Sequence, residues 1–399
     1  MRPHPTDTTA PSQAERSALI VGIASTVVGM QMFIVQPGML NLLVLNLPAS
    51  EAQAGIIASA EMAGIALSTV LAAGASDRFS RRAVGSGAAA MLVAANLLSA
   101  ACQDPWMLAA VRALAGIGSG LLISLGYSLL GTTANKDRAF AYVITAVLMY
   151  GALGIFVLPA AGALIGLSGI FVAFAGMAAL LPAFFGKIPP APIEREGRGI
   201  LATHRLNGRE FAALGAVLVF FLGQGVVWAY LGLIGLGEGL SEPAVSSGLT
   251  LSQLAGIGGA LSLVWATRRV SPRVLLLVGG LGSIVPLLAL TLKLGALGYA
   301  ISVTIFNFFA NLMTPFLMAL VAKRGRDGNL VPVAAALQMV GLAIGPAASA
   351  LLVDGQDFQS VLVTGSVFFA AMILVGLPST FELRAAAPDA EPTRAIVHS

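Results

Sequence analysis

Glu61 and Arg112 are two side chains whose chemistry is out of keeping with their surroundings, since each stands inside a long apolar run. An ionised group within a bilayer costs from about 2.5 kcal/mol upward, so it is kept where it pairs, reaches the interface or does work. Glu61 falls about eight to ten residues into its run, and Arg112 about six or seven into its own, counted from the same face. At about 1.5 Å per residue both lie roughly 10–15 Å deep, so a pair is geometrically open to them. A carboxylate held between burial and a cation is the kind of group that takes up and releases a proton. A static salt bridge joining two helices is the competing reading. Arg112 also has the charge to bind an anionic solute.

Uncharged polar residues in other apolar runs fall on single helical faces. Gln224 and Trp228 stand at i, i+4, and Asn307, Asn311 and Thr314 at i, i+4, i+7, which gives each helix one polar stripe. Gln31 and Gln36 precede a Pro37-Gly38 break, where freed carbonyls would be tolerated facing a cavity. Singly these residues suit interhelical hydrogen bonding as well as solute contact; as a set they read as the lining of a cavity. Trp228 suits an aromatic or lipophilic solute.

The elements that must position them are membrane helices. Of 399 residues, 57% are hydrophobic and 10% charged, against roughly 25% charged in a soluble domain. Runs near the roughly 20 residues a span requires are expected at 17–45, 53–74, 83–101, 106–130, 139–166, 169–187, 210–234, 245–267, 274–293, 298–322, 330–353 and 360–381. Short polar turns separate them. The one long connection carries Pro189, Pro190, Pro192 and mixed charges, the composition of a solvated linker. The expected organisation is a six-helix bundle over 1–187, a linker over 188–209, and a second six-helix bundle with a short tail over 210–399. With the amino terminus placed in the cytoplasm, only Arg112 and Lys293 of the 22 basic residues fall elsewhere, leaving 22 minus 2, or 20, on one side. The positive-inside rule then puts both termini in the cytoplasm of a bacterial-type inner membrane. The first run is longer than a signal-peptide core and is expected to be retained.

The halves repeat. Ala75-Ser76-Asp77-Arg78-Phe79-Ser80-Arg81-Arg82 aligns with Ala266-Thr267-Arg268-Arg269-Val270-Ser271-Pro272-Arg273 at an offset of 191, which is 266 minus 75. Ala63-Gly64-Ile65 matches Ala255-Gly256-Ile257, and Pro159 to Leu164 echoes Pro346 to Leu351. Three matches in order, between spans six apart, point to duplication about an axis along the membrane normal. No G-x-x-x-x-G-K-[ST] loop or H-E-x-x-H pair is present, so nucleotide-driven or metalloenzyme chemistry has no motif to rest on. His4, His204 and His398 all lie in polar segments and Cys102 stands alone, so neither a metal site nor a disulfide framework is expected.

The stretch Ala73-Gly74-Ala75-Ser76-Asp77-Arg78-Phe79-Ser80-Arg81-Arg82 resembles the G-x-L-x-D-R-x-G-R-R loop of the major facilitator superfamily. Its Asp-Arg pair and terminal arginines match, whereas Ala73, Ala75 and Ser80 depart from the pattern. The resemblance implies an all-α membrane protein of twelve transmembrane helices in two pseudo-symmetric bundles. It also implies a conformational latch formed by Asp77, Arg78, Arg81 and Arg82. Arg112-Ala113-Leu114-Ala115-Gly116-Ile117-Gly118 resembles the R-x-x-x-G-x-G of proton-coupled members, which assigns proton coupling to Glu61 and Arg112. The family's cavity helices assign solute binding to Arg112, Gln31, Gln36, Gln224, Trp228, Asn307 and Asn311. Gly154, Pro159 and Gly162 resemble the antiporter segment G-x-x-x-G-P-x-x-G, with Leu158 in place of a glycine. The expectation is a monomeric secondary transporter that moves a small organic solute by alternating access, through proton-coupled antiport and efflux. Uptake of an organic anion by symport or uniport is the alternative, and a channel or receptor is a more distant one. No cofactor, metal, enzymatic activity or nucleic-acid partner is expected; the partners are the solute, protons and the lipid bilayer.

Overall fold

A computed structural model of the chain describes residues 13–75, 80–186, 188, 206–325, 330–353 and 357–381, with 70–75 and 136–137 described by backbone alone. Its elements are all helices. The first half holds α1 (Gln13–Gly29), α2 (Gln31–Ile34), α3 (Gln36–Asn46), α4 (Glu51–Ala75), α5 (Arg81–Ala101), α6 (Pro105–Gly131), α7 (Lys136–Leu180) and α8 (Pro182–Phe185). The second holds α9 (Gly208–Trp228), α10 (Leu231–Gly237), α11 (Glu242–Arg269), α12 (Pro272–Leu290), α13 (Gly295–Arg324), α14 (Val331–Ala350) and α15 (Gln359–Gly376), with a short 3-10 turn, Leu377–Thr380.

Among the described residues nine helices are long and apolar enough to cross a membrane, and one of them, 138–185, has 48 residues. That length is about twice what a bilayer core demands. It divides at Gly166, whose φ of 64° and ψ of −179° belong to a region that is essentially glycine's alone. The division falls where the sequence places the end of the fifth run. With α1–α3 as the first span and α4 as the second, the order is in keeping with twelve spans. The structure refines two of them: the first run is interrupted at Met30 and Val35, and the seventh at Ala229 and Tyr230. Each half therefore opens with a broken span.

The duplication is visible in the caps and in the packing. Ser80 Oγ accepts the Ala83 N–H at 3.2 Å, and Ser271 Oγ accepts the Val274 N–H at 3.4 Å. These are N-caps at equivalent places in the repeated loop. α4 packs on α6 as α11 packs on α13, and α5 packs on α6 and α7 as α12 packs on α13 and α15. The halves meet through α4 on α14 and α11 on α7.

One end of the bundle carries Glu51, Asp104, Glu238, Glu242 and Asp357; the other carries Arg82, Arg138, Arg268, Arg269, Arg273, Lys323 and Arg324. At the acidic end the halves are closed on each other. A single apolar cluster there joins Met39, Leu40, Leu43 and Ile57 to Leu231, Leu233, Ile234 and Phe358. The Tyr230 hydroxyl donates to the Glu51 carbonyl at 3.1 Å. Gly232 lies so close that a Cβ would stand 2.4 Å from the Pro37 carbonyl oxygen. The Pro37 carbonyl thus meets the opposite half, whereas a Cβ on Gly38 would stand 2.7 Å from Leu158 of its own half; Pro37 opens α3, and the helix breaks occur before it.

Of the expected latch, Asp77 and Arg78 lie outside the described residues. Arg82 donates from Nε to the Ile188 carbonyl at 2.8 Å and from Nη2 to the Gly186 carbonyl at 3.0 Å. These are carbonyls that a helix end leaves free, and they belong to Arg82's own half. Arg324 does the same in the second half, donating to the Ser379 carbonyl at 2.8 Å and to that of Phe381. Arg81 is buried and its Nε has no partner among the described residues. Of the described arginines of the motif, Arg82 therefore ties the ends of its own bundle together. Of the expected linker, Ile188 and 206–209 are described; within it Asn207 starts α9 through a capping box with Glu210.

Candidate functional site

Two polar constellations occupy the interior, one in each half. The first is built on close helix approach. A Cβ on Gly116 would stand 2.1 Å from the Glu61 carbonyl oxygen, and one on Gly64 2.2 Å from that of Ala113. Small residues at this crossing let α4 and α6 touch backbone to backbone, which brings Glu61 and Arg112 together. Arg112 Nη2 lies 2.6 Å from Glu61 Oε1, and Nε lies 3.2 Å from Oε2, a bidentate charge-assisted pair. Arg112 Nη1 donates to Asn96 Oδ1 at 2.7 Å and to Ser99 Oγ at 3.4 Å, both on α5. The guanidinium also sits 5.4 Å from the centre of the Phe171 ring on the second part of α7, within cation–π range. Arg112 is 0% exposed and Glu61 3%. Four helical segments of one half are tied at this point.

The second constellation lines a cavity of about 180 Å³ between the halves. Its wall from the first half is apolar, made by Met30, Phe33, Ile34, Val143, Ile144, Val147 and Leu148, with Tyr127 alone bearing a polar group. Its wall from the second half carries Gln224, Trp228, Gln253, Asn307, Asn311, Thr314 and Gln338 beside Phe221 and Leu342. None of these lining side chains is charged. The cavity reaches from mid-span Trp228 toward the basic end, where α7 and α14 begin.

Three of the amides form a relay whose polarity is fixed by the main chain. Asn311 Nδ2 donates to the Asn307 carbonyl at 2.9 Å and to Asn307 Oδ1 at 3.0 Å. Asn307 Nδ2 donates to the Ser252 carbonyl and to Gln253 Oε1, each at 2.9 Å. A main-chain carbonyl only accepts, so each asparagine must turn its nitrogen toward one, and Gln253 must present its oxygen to Asn307. Gln253 Nε2 is left as a buried donor without a partner among the described residues.

Other residues singled out by sequence are placed differently. Trp228 lines the cavity, but its Nε1 donates at 3.1 Å to the Phe33 carbonyl, across the boundary between halves. Arg112 is absent from the lining of this cavity; its four bonds run to Glu61 on α4 and to Asn96 and Ser99 on α5. Gln31 and Gln36 are buried but do not line the cavity, and both side-chain polar atoms of Gln31 lack partners. Gly154 and Gly162 leave room for Val35 and Leu42, to which an added Cβ would approach within 2.6 Å. They pack α7 against α2 and α3. Pro159 borders a space of about 10 Å³ against α11, hardly that of one water. Gln253 stands out only as the repeat position of Glu61 in sequence. Gln338, Tyr127 and the partners Asn96 and Ser99 carry no such marker, although Asn96 and Ser99 form an i, i+3 polar pair in an apolar helix.

Structural comparison identifies folds of the same kind. The crystal structure of nucleoside transporter NupG superposes with a TM-score of 0.72 at 12% identity, covering 92% of this chain and 98% of that one. A point mutant of the same transporter gives 0.69 at 13% identity, covering 92% and 99%. No curated protein matches the sequence. The sequence profile of the Major Facilitator Superfamily matches residues 21–339. With an all-helical duplicated fold, apolar spans and that match over most of its length, the chain is a membrane transporter and belongs to the major facilitator superfamily.

Proposed function

We propose that this chain is a secondary carrier for a small, uncharged, amphipathic organic solute, working by alternating access in a bacterial-type inner membrane. The observation that carries the reading is the two-faced cavity, apolar on one side and amide-lined on the other, with no charged side chain in its lining among the described residues. An ion moved from water into this site would meet no counter-charge, whereas a neutral solute with one apolar face and one polar edge finds a partner for each. A volume of about 180 Å³ is below the roughly 300–1,000 Å³ of drug-sized sites, which favours a small solute over a bulky one. Uptake of an organic anion loses its support, since Arg112 is the residue that carried it.

Closure at the acidic end and a cavity toward the basic end make this the state that faces the cytoplasm, given the positive-inside orientation. The bundles over 1–187 and 210–399, joined by a linker over 188–209, are the bodies that rock in a monomer. NupG's name identifies nucleosides as its solutes, and nucleosides, being uncharged with a ring and a polar edge, are first candidates here. In proteoliposomes, the expected result is counterflow of uncharged ring solutes, saturable and unaffected by excess benzoate or a quaternary ammonium ion. Counterflow confined to charged solutes would overturn the reading.

Proton coupling through Glu61 is a second reading, favoured by the burial of that carboxylate in the middle of a span. It requires Arg112 to release the carboxylate during the cycle. Solute-driven proton movement that disappears in Glu61→Gln supports it, and the sign of that movement separates antiport from symport. Unchanged proton movement in the variant removes it.

A further inference from the structure

Resting on the reading of an uncharged solute, we infer that Gln253 is the specificity-determining donor of the cavity and that it recognises a carbonyl-type acceptor on a small flat ring, as in a cyclic amide or ureide. Gln253 is 1% exposed and lines the cavity. Its oxygen is committed to Asn307, which is itself held by the Ser252 carbonyl and by Asn311. The amide has no freedom to flip without setting two oxygens or two nitrogens against each other, so Nε2 is a donor by construction. It lacks a partner in this state, and an unmet buried donor is a standing penalty that a ligand acceptor removes.

The surroundings extend the chemistry. Gly151, on the opposite half, has no side chain where a Cβ would stand 2.1 Å from Nε2, so the amide keeps its place at the boundary. Phe33, Tyr127, Phe221 and Trp228 supply aromatic surface around the cavity, and such surfaces suit a flat ring. A site built around a buried donor discriminates strongly against analogues that leave it unpaired.

The test uses purified full-length protein and two flat, uncharged probes. Dimethyluracil, methylated on both ring nitrogens, offers carbonyl acceptors and no N–H; indole offers an N–H and no carbonyl. Calorimetric titration of the wild type is expected to show dimethyluracil bound at least about tenfold more tightly than indole, the worth of one good hydrogen bond. Gln253→Met keeps the length of the side chain but has no donor, and is expected to lose that preference while indole binding changes less than about threefold. Gly151→Ala, which crowds the same nitrogen without altering Gln253, is expected to act in the same direction and covers the case of a poorly folded Gln253→Met. Equal binding of both probes to the wild type, no dimethyluracil binding at all, or a preference that survives both substitutions overturns the inference. The counterflow comparison of uncharged with charged solutes reports separately on the reading beneath it.

Discussion

The same crossing of helices holds an ion pair in one half and an amide pair in the other. Glu61 and Arg112 join α4 to α6; Gln253 and Asn307, at offsets of 192 (253 minus 61) and 195 (307 minus 112), join α11 to α13. Glycine allows both crossings: a Cβ on Gly116 would meet the Glu61 carbonyl oxygen at 2.1 Å, and one on Gly259 would meet that of Phe308 at 2.0 Å. The charges turn into their own bundle, where α5 and Phe171 complete their coordination; the amides border the cavity between the bundles. The difference follows from solvation energy. A charge on the path would be stripped and rehydrated in each cycle, whereas an amide exchanges one neutral hydrogen bond for another at small cost.

The largest effect expected is on stability, from Arg112→Leu. It strands a buried carboxylate, which costs about 3–5 kcal/mol, while Asn307→Leu strands the Gln253 oxygen but leaves Asn311 its bond to the main-chain carbonyl, at about 1–3 kcal/mol. Equilibrium unfolding in mixed micelles should rank them in that order, and equal losses would break the comparison. Next is the exchange of one chemistry for the other: Glu61→Gln combined with Arg112→Gln leaves no buried charge, and should unfold at conditions closer to wild type than Arg112→Leu does. A smaller effect is expected from Trp228→Phe, which keeps the ring and loses only the bond to Phe33, worth about 1 kcal/mol. Hydrogen exchange across α3 and α10 should quicken as the acidic end loosens; unchanged exchange would mean that this bond does not help close it.

The smallest concerns Glu238, at the end of α10. Burial raises its carboxyl above the ordinary 4.5, with the Lys293 ammonium partly opposing. With the folded value raised, the folded state holds the proton more tightly than the unfolded one. The stability this contributes is full below about 4.5 and is lost as pH rises through the folded value. Glu238→Gln should remove that slope from melting temperature against pH, and a slope that persists assigns it to other groups.

The helical order was readable because its signals are local. Long apolar runs, the gap before residue 169 that becomes the Gly166 break, and the repeated Ser80 and Ser271 loops each report on neighbouring backbone. The pairing of Glu61 with Arg112 was readable as a possibility, because two charges at equal depth have reason to meet. The direction in which the pair points was not, since α6 packs on α1, α4 and α5 and its buried circumference carries no single polar stripe to mark a cavity face. The stripes on α9 and α13 were legible for the opposite reason, being polar on one side only. Main-chain acceptors such as the Phe33 carbonyl under Trp228, and the Ser252 carbonyl that orients Asn307, leave no trace in residue types.

On the reading proposed above, the amide wall recognises the solute and the ion pair braces its own bundle. The direct measurement is counterflow of an uncharged ring solute in proteoliposomes, comparing the Glu61→Gln, Arg112→Gln double variant with Asn307→Leu at equal amounts of folded protein. Exchange within about threefold of wild type is expected for the double variant, and a loss of about tenfold or more for Asn307→Leu, the worth of one hydrogen-bonded contact. Exchange abolished in the double variant and intact in Asn307→Leu would contradict that reading and move the site of recognition to the ion pair.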